Sequence, residues 1–150
     1  MNATTSLMSR AVALLARREH SRHDLARKMR RYSQDEDEIT QVLDSLVAKD
    51  LLSDRRFAEV YVRARKERFG RQRLSYELSQ QKVDAQIIDE VLAPLADDEL
   101  QRAHDVWVRK FNRVAQDQRE YARQYRFLGQ RGFNSEVIRK VLSNPTIESY

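Results

Sequence analysis

At 150 residues, 34% of them charged and with a net charge of +5, the chain is long enough to bury a core without a covalent or metal staple. It contains no cysteine, which removes disulfides, thiolate zinc sites and cysteine nucleophiles from consideration. Its longest apolar run, Ala11 to Ala16, falls far short of the about 20 residues that span a bilayer. Residues 1–10 lack the apolar segment of a secretory signal, so a soluble, cytoplasmic protein is expected, with no membrane partner.

In chain order, apolar residues recur at spacings of three and four. Leu25 and Met29 form one pair, and Ile39, Val42, Leu43 and Leu46 form a wider stripe. Phe57, Tyr61 and Ala64 follow, then Leu74 and Leu78. This is the helical period, and no stretch alternates with a period of two. Ser33 with Glu36, and Asp117 with Glu120, have capping-box spacing. Gly70 and Gly132 stand where helices are expected to stop, and Pro94 and Pro145 follow or close others. The acidic run Asp35 to Glu38 reads as a solvated helix start, where carboxylates complement the dipole.

The pattern repeats. A shift of 49 carries Leu25 to Leu74, Met29 to Leu78, Asp35 to Asp84, Ile39 to Ile88 and Leu46 to Leu95. A further shift of 50 carries Phe57 to Trp107, Tyr61 to Phe111, Leu78 to Leu128, Asp84 to Asn134 and Ile88 to Ile138. These matches predict an all-α, elongated and curved array of three tandem three-helix repeats, spanning 1–50, 51–96 and 97–150. Each third helix would start at an Asx cap. A unit this small has a marginal core alone, so neighbours are expected to support one another. Phe57, Tyr61, Trp107 and Phe111 fall at core-like positions of the repeat.

Catalytic and metal motifs are missing. The chain has three glycines and no phosphate-binding loop of the Walker type. A calcium loop starting at Asp35 would place Thr40 at its glycine and Leu46 at its bidentate glutamate, so that reading fails. Ser79 and Lys82 match an S-x-x-K pattern without its companions. His20, His23 and Asp24 share a neighbourhood but lack a second ligand cluster, and are expected to be exposed polar residues. His104 is expected to be half-buried on a helix. No enzyme, cofactor or metal is predicted; the chain is expected to act by binding.

The basic residues say what it would bind. Arg63, Arg65, Lys66, Arg68, Arg71 and Arg73 run across Gly70 with only Glu67 among them, and Arg56 precedes them. Arg27, Lys28, Arg30 and Arg31 form a second group. Guanidinium groups present a planar, permanently charged fork to phosphate. Contact with a nucleic-acid backbone, without base specificity, is therefore expected from these eleven residues. A general DNA-binding protein or small transcription regulator fits the same charge and helical triplets.

Asp54, Arg56-Phe57-Ala58, Tyr61, Arg65, Gly70, Arg73 and Leu78 resemble the central D-x-R-F-A … R … G … L pattern of the bacterial RecX regulatory proteins, modulators of the RecA recombinase. Arg18 to Leu25 with Met29, Arg126-Phe127-Leu128 and Arg131-Gly132-Phe133 extend the resemblance from about Ala11 to Leu142. One departure is Lys82, which replaces the usual glycine of a K-G-[IV] turn. A monomer is expected, since no long exposed heptad or apolar seam is evident, and the resemblance implies tandem three-helix repeats that bind RecA and its filament on single-stranded DNA. It also implies inhibition of ATP hydrolysis, strand exchange and filament growth, and places the basic residues at the DNA or RecA contacts.

Overall fold

The computed structural model describes residues 3–143, with side chains from Leu7 onward. Those residues form nine α-helices and one 3-10 helix, with no strand. The first unit holds α1 (Ala3–Arg17), α2 (Arg22–Met29) and α3 (Glu36–Ala48). The second holds α4 (Asp54–Arg65), α5 (Arg71–Gln80) and α6 (Ala85–Leu92). A 3-10 turn over Ala93–Asp98 leads into α7 (Glu99–Lys110), α8 (Gln118–Gln130) and α9 (Ser135–Ser143). None of these helices is long and apolar enough to cross a membrane.

Each triplet closes its own core. Leu25, Met29, Ile39 and Leu46 meet under α1 in the first, and Phe57, Leu74, Leu78 and Ile88 in the second. The third is built on Trp107, Leu128, Phe133 and Ile138. The apolar residues related by the 49- and 50-residue shifts are thus the buried ones, with Tyr61 and Phe111 half-buried at the core margins. Trp107 is fully buried, and its indole N–H donates to Gln124 at 2.9 Å. That satisfies the one polar atom an indole brings into a core.

The helix starts repeat as well. Asp35 accepts from the backbone of Asp37 and Glu38, Asp84 from Gln86, and Asn134 from Val137. Each third helix therefore begins on an Asx side chain that satisfies an otherwise orphaned N–H. Asp117 accepts from Glu120 N, while the Glu120 carboxylate accepts from Gln116 N at 2.8 Å. The Ser33 capping box is not formed. The helix starts two residues later, on Asp35, and Ser33 accepts from Asp35 N instead. Pro145 lies outside the described residues.

Besides Asn112 (φ 43°) after α7, three helices end in a left-handed residue, at Asp50 (φ 58°), Lys82 (φ 59°) and Gly132 (φ 94°). In each, crossed bonds to the preceding turn give the Schellman pattern; at Lys82 they run from Lys82 N to Ser79 O and from Val83 N to Leu78 O. The turn is kept although lysine replaces the usual glycine. Gly70 differs from the expectation that a helix stops on it. It is the N-cap of α5 at φ −84°, and its smallness serves another purpose. A Cβ at Gly70 would lie 2.6 Å from the Gly132 carbonyl carbon and 2.7 Å from Phe133 N.

That close approach joins the second unit to the third. Gly70 N donates to Arg131 O at 2.7 Å, and Gln72 N to Gly132 O at 3.1 Å. α7 adds a charged clasp. Its Glu99, 3% exposed, accepts from Arg71 N at the start of α5 and pairs with the Arg71 guanidinium. One turn on, Arg102, equally buried, donates to Lys66 O (2.7 Å), Phe69 O (3.1 Å) and Leu95 O (3.1 Å), and pairs with Asp98. An anion thus meets a helix N-terminus and a cation meets a helix C-terminus, as the peptide dipoles favour.

The first junction is polar too. Ser21 donates to Gln81 at 2.7 Å, and Arg22 N to the Asp54 carboxylate at 2.8 Å. Arg56 bridges Glu19 and Asp50, each at 2.9 Å. His20 and Asp24, expected to be exposed, are 1% and 7% exposed instead. The reason is a knot of bonds: Asp24 pairs with Arg27 (2.6 Å) and Lys28 (3.4 Å), while His20 lies between Arg18 O (3.0 Å) and Lys28 Nζ (2.9 Å).

Candidate partner-binding surface

The basic segment occupies the last turn of α4, the α4–α5 turn and the start of α5. Arg63 is exposed and makes no ion pair among the described residues. Arg65 lies over the Tyr61 ring, 3.7 Å from its centroid. Arg68 is exposed and stands 5.3 Å from the Phe69 centroid, again without a carboxylate. The Lys66 side chain makes no ion pair among the described residues, although its carbonyl accepts from Arg102. Arg73 lies 4.0 Å from the Phe69 centroid, pairs with Glu77 at 2.9 Å and donates to Gln130 O. Arg71 and Arg56 have their donors engaged across the two junctions.

Beneath Arg65 and Arg73 the Tyr61 hydroxyl donates to Glu77. Burial and this carboxylate push the phenol up to about 12. Burial alone would raise the Glu77 carboxyl, but the bonds from Tyr61 and Arg73 outweigh it and hold Glu77 below the ordinary carboxylate range. The pair is fixed in its charged, bonded form, so it shapes the platform under the arginines and does not supply a proton donor.

In the first unit Arg27 and Lys28 neutralise Asp24, and Arg30 pairs with Glu36 at 2.7 Å. Arg31 is exposed and makes no ion pair among the described residues. The structure therefore separates the eleven sequence candidates. Arg31, Arg63, Arg65, Lys66 and Arg68 make no ion pair among the described residues, whereas the other six are paired inside the molecule.

Sequence reading missed three cations that the fold adds. Arg109 and Lys110 at the end of α7 and Arg131 after α8 join Arg68 around one cleft of about 240 Å³ that also has Val106 and Phe127 in its wall. No carboxylate lines it. Arg131 sits between two rings, 5.4 Å from the Phe69 centroid and 4.9 Å from that of Phe127. The sequence shows these basic residues at helix ends, but only the docking of the third unit brings them to Arg68.

Comparison with known proteins matches residues 8–46, 53–92 and 97–142 to the first, second and third three-helix domains of RecX. The regulatory protein RecX of Herminiimonas arsenicoxydans is 44% identical over 91% of both chains. The chain belongs to the RecX family. The RecX of Chromobacterium violaceum is also 44% identical, over 92% of this chain and 90% of its own. The crystal structure of RecX from Lactobacillus salivarius shares the fold, with a TM-score of 0.82 at 21% identity over 94% of this chain and 95% of that one. The RecX motif Asp54, Arg56, Gly70, Arg73 and Gly132 acquires a physical meaning here. These residues join neighbouring units, through Asp54 to Arg22, Arg56 to Glu19, Gly70 against Gly132, and Arg73 to Gln130.

Proposed function

We propose that this protein regulates the RecA recombinase by binding RecA and the filament RecA forms on single-stranded DNA. Bound there, it slows ATP hydrolysis, strand exchange and filament growth, acting as a cytoplasmic monomer that needs no cofactor. The observation that carries the reading is the match to all three RecX domains in order, to a family whose members are named regulatory proteins. The surface supports it. Arg31, Arg63, Arg65, Lys66 and Arg68 offer charge to phosphate or to acidic protein groups. Three units in series can engage successive protomers of a repeating partner, and each added contact raises avidity. Regulation follows if one state of the filament is bound better than the others.

The reading predicts an order of affinities. RecA-coated single strands should bind the protein more tightly than either bare strands or free RecA, measured by anisotropy of the labelled protein. Equal affinity for coated and bare strands would contradict it and favour a general DNA-binding protein.

A further inference from the structure

We propose that the cleft between the second and third units is a phosphate-binding track for a single nucleic-acid strand. The choice of a strand rests on the function proposed above; the anion site itself does not. Four cations, Arg68, Arg109, Lys110 and Arg131, line this cleft without a carboxylate. Elsewhere the surface mixes signs, as in the cleft where Arg18 and Arg27 face Glu19 and Asp24. Like charges gathered around one cleft repel one another, and an anion relieves that repulsion.

The cations are also held in place. Arg131 is sandwiched between Phe69 and Phe127, Lys110 Nζ lies 5.4 Å from the Phe127 centroid, and Arg109 donates to Glu67 O at 2.7 Å. Side chains fixed by stacking and hydrogen bonding lose less freedom when a ligand arrives. Lys110 and Arg131 approach the Phe127 ring themselves, so phosphate and not base is the recognised group, and binding is blind to sequence. The track continues past Lys110, which also lines an adjoining cleft with Arg113 and Arg123. The carboxylate there, Glu120, is paired with Arg113 at 3.5 Å. With Arg113 neutralised there, Lys110 and Arg123 continue the line of cations from the first cleft, which suits a chain of phosphates better than a lone anion.

The test uses the full chain and a fluorescent oligothymidylate, without RecA, so its outcome is independent of the regulator assay. Reversing two exposed cleft cations together, Arg68→Glu with Lys110→Glu, should weaken binding at least about tenfold. It should also lower the slope of log affinity against log salt by about 1.4, two contacts of about 0.7 each on a single strand. Reversing Arg119→Glu with Arg139→Glu, exposed positions outside both clefts, changes the charge equally and should cost less than about threefold. Equal loss in both pairs would mean diffuse attraction and overturn the track. Displacement of the strand by inorganic phosphate or a nucleoside triphosphate at matched phosphate concentration would overturn the strand in favour of a small anion. Displacement by polyglutamate at matched charge would overturn phosphate in favour of an acidic peptide. If the reversed pair fails to unfold cooperatively, Arg68→Gln with Lys110→Gln decides by the same readouts.

Discussion

His20 shows how far one residue's environment departs from its local sequence. The Arg18 carbonyl can only accept and the Lys28 ammonium can only donate, so the ring is neutral, with its proton on Nδ1 and a lone pair on Nε2. Burial and the neighbouring Lys28 and Arg18 charges outweigh the Arg18 carbonyl and Asp24, and hold its pKa below the ordinary 6.5. The unfolded chain therefore takes up this proton more readily than the folded one. Stability from this site is present above pH 6.5 and is lost as pH falls below it. The midpoint of thermal unfolding should drop between pH 7 and pH 5, and His20→Gln should flatten that drop. Parallel curves for the two proteins would contradict the assignment. The sequence placed His20 beside polar residues and hid its burial, which comes from contacts that only the packed unit makes. Lys82, by contrast, was marked as irregular by the resemblance, which expects glycine in that turn, and the structure keeps the left-handed turn there. An L-residue there costs roughly 1–2 kcal/mol, and glycine's extra unfolded-state freedom returns part of any relief. Lys82→Gly should stabilise the chain by about 1 kcal/mol in urea unfolding; a loss of stability would show that the turn is not strained.

At the scale of helices, the order and period were readable because they rest on local chemistry. Asp35, Asp84 and Asn134 announce three helix starts through their own side chains, and leucines at helical spacing announce the faces they bury. The junctions were not readable. Arg56 and Arg71 have the same forks whether they meet phosphate or a carboxylate across a junction, so charge density alone could not sort them from Arg63 or Arg68. Glu99 follows Asp97 and Asp98, and nothing in that local sequence announces its burial against the start of α5. Gly70 was recognised as special for the wrong reason, since the need is close backbone contact and not a helix stop. Gly70→Ala pushes a methyl group into the backbone of Gly132 and Phe133. Overpacking of this kind should cost about 1–3 kcal/mol in denaturant unfolding. An unchanged midpoint would mean that the second and third units do not depend on this contact.

Across the whole molecule, the three cores are separate, and the units meet through a short list of polar and backbone contacts. Separate cores of this kind let each unit keep its own fold while neighbours support one another. The fold class and the family were both legible, because the repeat and the ordered motif survive without side-chain coordinates. The proposed binding cleft was legible only in part: the sequence singles out Arg68, while Arg109, Lys110 and Arg131 are brought to it by docking of the third unit. The central claim is regulation of a recombinase filament, and it is tested most directly by RecA's DNA-dependent ATP hydrolysis, titrated with this protein. Inhibition well below one molecule per RecA protomer is predicted, because sequestering free RecA could not produce it. Undiminished hydrolysis at a stoichiometric excess of the protein would contradict the account.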